Sequence, residues 1–444
     1  MFNRSLWKRI FSLLLILGLS AFGLQDEPGV PFSITHFQLK NGLDVILSED
    51  FSLPLVSVVV AYHVGSVDEQ PGKTGLAYLC ENMMFLGSFN VGPMQHISFI
   101  SRIGGELSAS TTEDVTYFYQ TVPSNQLALV LWLESDRLKA LEIDAAKTER
   151  AKQDLLREIV QRKADEPYLE SSFAFDRLLF PDFARGHNIL GREEDIRTIG
   201  LEDVKGFYAA HYIPNNAVLV IVGNINLAHT RELVEKYFDG IDTGRELPLP
   251  PPLKPAERKG LVQTYQEVLA PSPAFHLGYR IAAPYSPDHY ALAILDYILL
   301  KGGSSRLYRK LVRRESLANY LSGGIEKRAG LAALKIFAVN NNETMVDLCQ
   351  KGIFSEINRL RTGYVSETEL AKAKSLFKRD YVNRLAVPVE RAMFLAEVFF
   401  SPAGLDGIPK ELARYLRITP YQISANVNRY LVPENSVILN VKTR

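Results

Sequence analysis

The run Gly75-Leu-Ala-Tyr78-Leu-Cys80-Glu81-Asn82-Met-Met-Phe-Leu-Gly87 decides how the rest of the chain is read. Leu76, Leu79, Met83 and Leu86 recur at helical spacing between two bounding glycines, which predicts a buried amphipathic helix. On its other face Tyr78, Glu81 and Asn82 stand at i, i+3 and i+4, so their side chains converge on one point. Cys80 falls within the apolar helix and reads as a small buried hydrophobe.

With His at 78 and 82 the run would read His-x-x-Glu-His, in which two imidazoles hold zinc and the Glu acts on a metal-bound water. On this pattern, and over nearly its whole length, the chain resembles the pitrilysin/insulinase family of zinc peptidases. That family places a third ligand, a Glu, on a second helix about seventy-six residues further on. Glu158 stands there, in Glu149-Arg-Ala-Lys-Gln-Asp-Leu-Leu-Arg-Glu158-Ile159. The resemblance is to the degenerate, non-zinc subunit of bacterial heterodimeric members and of the mitochondrial processing peptidase.

The resemblance also implies what is lost. Zinc lowers the pKa of its bound water to roughly 7 and polarises the scissile carbonyl. Tyr78 offers instead a phenol with an ordinary pKa of about 10, and Asn82 a neutral amide that zinc rarely selects. Only Glu158 remains a good ligand, so no metal is expected at Tyr78, Asn82 and Glu158, and Glu81 is the relic of a general base. The expected substitute is a polar cluster in which the Tyr78 hydroxyl and Asn82 amide donate to Glu81 or Glu158. Ala151 stands where relatives carry a Glu that supports the distal ligand.

Before this helix, Phe37 to Leu47 reads as a hairpin with Asn41-Gly42 as a two-residue turn, and Val56 to Val64 as a β-branched strand. After it, Ile103-Gly-Gly-Glu-Leu-Ser108-Ala109-Ser-Thr111-Thr leads into the strand Val115 to Val122. In the family this segment reads Asn-Ala-x-Thr and is the edge strand along which an extended peptide lies. Ser108, Ala109 and Thr111 are therefore the expected substrate-binding positions, with Ser108 in place of the Asn. Residues 124–163 read as helical with Glu158 facing inward, and His187, alone in a Gly-rich loop, reads as structural or simply solvated.

The second half carries Lys301-Gly-Gly-Ser-Ser-Arg-Leu-Tyr-Arg-Lys-Leu-Val-Arg313-Arg314-Glu-Ser-Leu-Ala-Asn319-Tyr320. This looks like the family's second-domain signature, in which an Arg and a Tyr about seven residues apart bind the substrate carbonyl and stabilise the tetrahedral intermediate. Arg313 and Tyr320 fit that spacing. Arg314 is the nearest competitor, because Asn319 looks inserted.

Internal repetition organises the rest. Pro214-Asn-Asn216-Ala-Val218 returns as Pro433-Glu-Asn435-Ser-Val437, and Val58 to Gly65 returns as Phe275 to Ala282. The expected fold is α+β: two similar domains, each an antiparallel-rich mixed sheet with helices packed on one side, enclosing a cleft. The boundaries follow as a signal segment at 1–23, an N-terminal domain at 32–240, a proline-rich linker at 241–262 and a C-terminal domain at 263–444.

The 444 residues contain 50 Lys+Arg against 50 Asp+Glu, so bulk charge gives no case for a nucleic-acid partner. Arg4, Lys8 and Arg9 precede a short apolar core and the small-x-small site Ala21-Phe-Gly23, which reads as a cleaved secretory signal and a periplasmic destination. No later stretch is apolar and long enough to span a membrane. Two cysteines, Cys80 and Cys349, make no disulfide framework.

These readings converge on the non-zinc subunit of an exported heterodimeric metallopeptidase. Its partner would be an intact-motif homologue carrying the zinc, and its substrates peptides. An inactive peptide-binding or scaffold protein of the envelope is the alternative, followed by a zinc endopeptidase in its own right.

Overall fold

Val56, Val58 and Val60 alternate with Ser57, Val59 and Ala61, and all six are buried, as a strand covered on both faces requires. The computed structural model, which describes residues 32–245 and 259–443, places them at the centre of a sheet. Its strands are β1 (Thr35–Gln38), β2 (Asp44–Glu49), β3 (Leu55–Tyr62), β4 (Glu106–Thr111), β5 (Thr116–Pro123) and β6 (Ala217–Gly223), in the order β1-β2-β6-β3-β5-β4. A second sheet, from β7 (Leu261–Gln266), β8 (Ala274–Ile281), β9 (Tyr320–Arg328), β10 (Leu331–Val339) and β11 (Ser436–Lys442), has the order β7-β11-β8-β10-β9. Each sheet is antiparallel except for one parallel pair in the same place, β2 with β6 and β7 with β11. β7 starts within the stretch read as linker. Residues 246–258 of that stretch, and the signal segment at 1–23, lie outside the described residues.

Seven helices matter below: α1 (Leu76–Met83), α2 (Ala145–Asp165), α3 (Leu169–Leu179), α4 (Pro287–Leu299), α5 (Glu343–Thr362), α6 (Glu367–Ala386) and α7 (Pro388–Phe400). In the first sheet Val58, Val60, Leu219 and Ile221 pack with Leu79 and Met83 of α1 and Leu155 of α2. The opposite face, with Val59, Ala61, Val218 and Val220, is covered by Leu395 and Val398 of α7, from the other half of the chain. Reciprocally, Phe175 and Leu179 of α3 cover Ala333, Val437 and Leu439 of the second sheet. The expected single helical layer is thus a correction: each half lends a helix to the far face of the other's sheet. Full burial of Leu395 or Val398 contributes about 1.5–3 kcal/mol each.

Close packing dictates small residues under these exchanged helices. A Cβ on Gly278 of β8 would lie 2.8 Å from the Phe175 ring and 2.9 Å from Leu179. Ala61 occupies the matching place beneath α7. Polar bonds join the same surfaces: buried Arg328 reaches Asp176 (2.6 Å) and the Arg185 carbonyl (2.9 Å), Lys335 reaches Asp176 (2.5 Å), and Arg391 reaches Asp50 (2.6 Å).

Local corrections have local causes. The β1–β2 connection is a three-residue loop, because Leu39 and Leu43 still bond across it and Gly42 takes φ 88°. Asn41 is tied inward to the carbonyls of Phe238 (2.9 Å) and Ile241 (3.0 Å). The helical run at 124–163 divides between Leu127–Ala140 and α2, where Asp144 caps the new helix by accepting from the Lys147 amide. Cys80 and Cys349 are free and buried in separate cores.

Candidate functional site

Helix α1 begins at Gly75, whose φ of 88° and whose approach to the Leu190 carbonyl, 2.7 Å from where a Cβ would sit, require glycine. Its first amides, those of Gly75 and Ala77, donate to the buried Glu69 carboxylate at 2.9 and 2.8 Å. An anion at a helix N-terminus is favourably placed against the helix dipole. Nε2 of His187 lies 2.9 Å from the same carboxylate and its Nδ1 2.7 Å from the Phe183 carbonyl. Burial disfavours the imidazolium, but the bonds to Glu69 and Phe183 outweigh it and hold His187 above its ordinary pKa. Its role is structural, the first of the two readings that the sequence leaves open; the Glu69 partner carries no motif that would have revealed it.

The outward face of α1 meets α2 and β4. The Tyr78 hydroxyl donates to both oxygens of Glu158, at 3.0 and 3.2 Å. Burial, and then the adjacent Glu158 charge, raise the Tyr78 pKa, so the phenol stays protonated and acts as a donor. Glu81 accepts from the Thr111 hydroxyl at 2.5 Å. Burial lifts Glu81 to about 7 against the opposing Thr111 hydroxyl and amide, and Glu158 adds to the rise. Half-buried Asn82 donates to neither carboxylate, which corrects that part of the expected cluster. Thr111 takes its place, because the edge strand runs directly against the helix.

These donors do not fit zinc. One phenol engages both oxygens of the only good ligand, and Ala151, buried on the same helix, supplies no supporting carboxylate. Among the described residues no group of three His, Cys, Asp or Glu side chains is arranged to hold a metal ion.

Strand β4 is an edge, paired only with β5. The Thr112 amide donates to the Val115 carbonyl, so the ladder runs through positions 106, 108 and 110. The backbone groups of Leu107, Ala109 and Thr111 therefore point away from the sheet. Ser108 is exposed, with its Oγ 3.5 Å from the Ala109 carbonyl.

In the second half, Arg313 lies in a π-helix (Tyr308–Arg314), exposed, with its guanidinium 5.5 Å from the Tyr308 ring. Tyr320 opens the edge strand β9, 55% exposed and edge-on to Phe337 at 6.1 Å. Neither is hydrogen-bonded to Tyr78, Glu81 or Glu158. A cavity of about 600 Å³ lies between the halves, lined by Tyr168 and Phe175 on one side and by Gly324, Glu326, Lys335 and Phe337 on the other. None of the predicted site residues lines it.

Residues 44–178 match the family described as Insulinase (Peptidase family M16), and residues 198–377 the Peptidase M16 inactive domain, together more than half of the chain. The chain belongs to peptidase family M16. Its M16 relatives include the zinc protease PqqE of Helicobacter pylori, 26% identical over 417 residues, 91% of each chain. They also include the mitochondrial-processing peptidase subunit beta of Blastocladiella emersonii, 24% identical across 96% of this chain and 90% of that one. A crystal structure of a protease from Helicobacter pylori superposes with a TM-score of 0.88 at 24% identity, covering 93% of this chain and 100% of that one, a likeness of fold. Within the family, this chain resembles the non-zinc subunits.

Proposed function

We propose that this chain is the non-zinc subunit of an exported, periplasmic heterodimeric M16 peptidase. The observation that carries the reading is the Tyr78–Glu158 hydrogen bond, which joins two residues at positions where the resemblance expects metal ligands, while β4 keeps an open edge beside it. Ser108, Ala109 and Thr111 would receive the peptide by strand addition. Arg313 and Tyr320, exposed and unbonded to the relic site, would bind the scissile carbonyl in a chamber completed by the partner, whose intact motif supplies zinc. Export rests on the signal-like segment at 1–23.

The experiment is peptide hydrolysis by the chain with an intact-motif M16 homologue of the same organism. Activity confined to the mixture, and reduced on Arg313→Ala or Tyr320→Phe in this chain, supports the shared site. The open edge beside a masked metal position also suits an inactive peptide-binding protein. Peptide binding without hydrolysis in any mixture would favour that second reading.

A further inference from the structure

The chain as a whole is electrically neutral, yet one concave surface of its second half is not. A polar cavity of about 640 Å³ opens between the π-helix, the C-terminal turns of α5 and the first turns of α6. Six cations line it: Arg306, Arg309, Lys310, Arg314, Arg359 and Lys372. Three carboxylates offset part of that charge. Glu369 accepts from Arg306 at 2.9 and 2.7 Å, Glu356 lies 2.9 Å from Arg359 and 3.6 Å from Lys310, and Glu315 lies 3.6 Å from Lys310.

Arg309, Arg314 and Lys372 are left over. Among the described residues no carboxylate pairs with any of them, and the Lys372 amine donates only to the Ser304 carbonyl, at 3.3 Å. The wide turn of the π-helix, marked by the bond from the Glu315 amide to the Lys310 carbonyl (3.0 Å), changes which residues share a face. Arg309 and Arg314 line the cavity together, whereas Arg313 lies over Tyr308 and does not line it. The hydroxyls of Ser304, Ser366 and Thr368 complete the wall, and no aromatic ring lines it.

We propose that this cavity binds a diphosphate-type anion, a pair of linked phosphate groups. Two phosphates carry about three negative charges near neutral pH, matching the three uncompensated cations. Arginine forks and hydroxyls are suited to their many acceptor oxygens. With no aromatic surface for stacking a base, recognition is of the phosphates themselves. They are either free in solution or borne by a lipid headgroup. The site is separate from the peptide-binding role proposed above and does not depend on it.

Isothermal titration of the full chain with inorganic pyrophosphate at low salt tests this directly. Saturable one-site binding is expected, weakened about tenfold or more by Arg309→Gln and by Lys372→Gln, and unchanged by the surface control Arg150→Gln. Both cavity residues are exposed and lack a carboxylate partner, so thermal denaturation should show that the variants fold as the parent does. Vesicles containing a polyprenyl diphosphate separate the two sources. Binding to them with the same variant sensitivity assigns the site to a headgroup, and pyrophosphate binding without vesicle binding assigns it to a free phosphate. Absence of pyrophosphate binding at millimolar concentration, or binding that neither cavity variant weakens, overturns the proposal.

Discussion

Glu81 and Asp296 stand at corresponding points of the two halves, each a buried carboxylate on the helix beneath its own sheet and each against the edge strand. The ladders establish the correspondence: Tyr62 pairs with Thr116, and Thr116 with Thr111, as Tyr279 pairs with Leu334, and Leu334 with Ile325. Glu81 meets the hydroxyl and amide of Thr111, and Asp296 meets the amide of Ile325. Lys301, 3.6 Å from Asp296, also donates to the Gly323 carbonyl at 3.3 Å. The outward groups of β9 are thus partly taken by side chains of its own half, whereas β4 meets a carboxylate only at Thr111.

The raised pKa of Glu81 has a signed consequence. With a folded value of about 7 against an ordinary 4.5, the folded state holds the extra proton between those values, so this group's stabilising contribution falls as pH rises through that window. Glu81→Gln removes the titration but keeps an oxygen for Thr111. The variant should gain on the parent by on the order of 2–3 kcal/mol between pH 5 and pH 8. Denaturant midpoints at the two pH values measure it, and an equal offset at both would contradict it.

Tyr78→Phe deletes the one donor that serves both oxygens of Glu158. A loss of about 1–2 kcal/mol in unfolding free energy is expected, as for a hydrogen bond to a charged group at a half-buried site. Urea denaturation of the variant against the parent reads this, and a neutral effect would mean that water serves Glu158 equally well.

Restoring the lost ligands should restore the metal. Tyr78→His combined with Asn82→His leaves two imidazoles beside a Glu158 freed from the phenol, and about one zinc per chain is expected after dialysis. Adding Glu158→Gln should remove most of it. Zinc retained equally with and without Glu158 would separate that residue from the site.

Buried Arg328 joins Asp176 of α3 to Glu113 and Glu326. Arg328→Met leaves Glu113 without its cation and Asp176 and Glu326 with Lys335 alone, and a cost of about 3–5 kcal/mol is expected from thermal or chemical unfolding.

The duplication was legible because Pro214 and Pro433, or Tyr62 and Tyr279, repeat as residues in matching strands and turns. Glu158 was legible because it stands about seventy-six residues after the altered motif, where the family that the chain resembles carries its distal ligand. The exchange of α3 and α7 was not. The apolar period of a helix such as Pro388–Phe400 is the same whether it covers its own sheet or another. Pairings made only in three dimensions also left no pattern: Glu69 with His187, Asn41 with two carbonyls near residue 240, and Thr111 in the place expected of Asn82. The Arg309–Arg314 face was concealed because i and i+5 positions line one wall only where a helix widens.

The most direct measurement is hydrolysis of a peptide by the purified chain alone, by an intact-motif M16 homologue of the same organism alone, and by the two mixed, with zinc quantified in each. Zinc confined to the homologue, activity confined to the mixture, and loss of that activity on Tyr320→Phe in this chain are the expected results. Stoichiometric zinc and hydrolysis by this chain alone would contradict the reading of Tyr78 and Asn82 as a dismantled metal site.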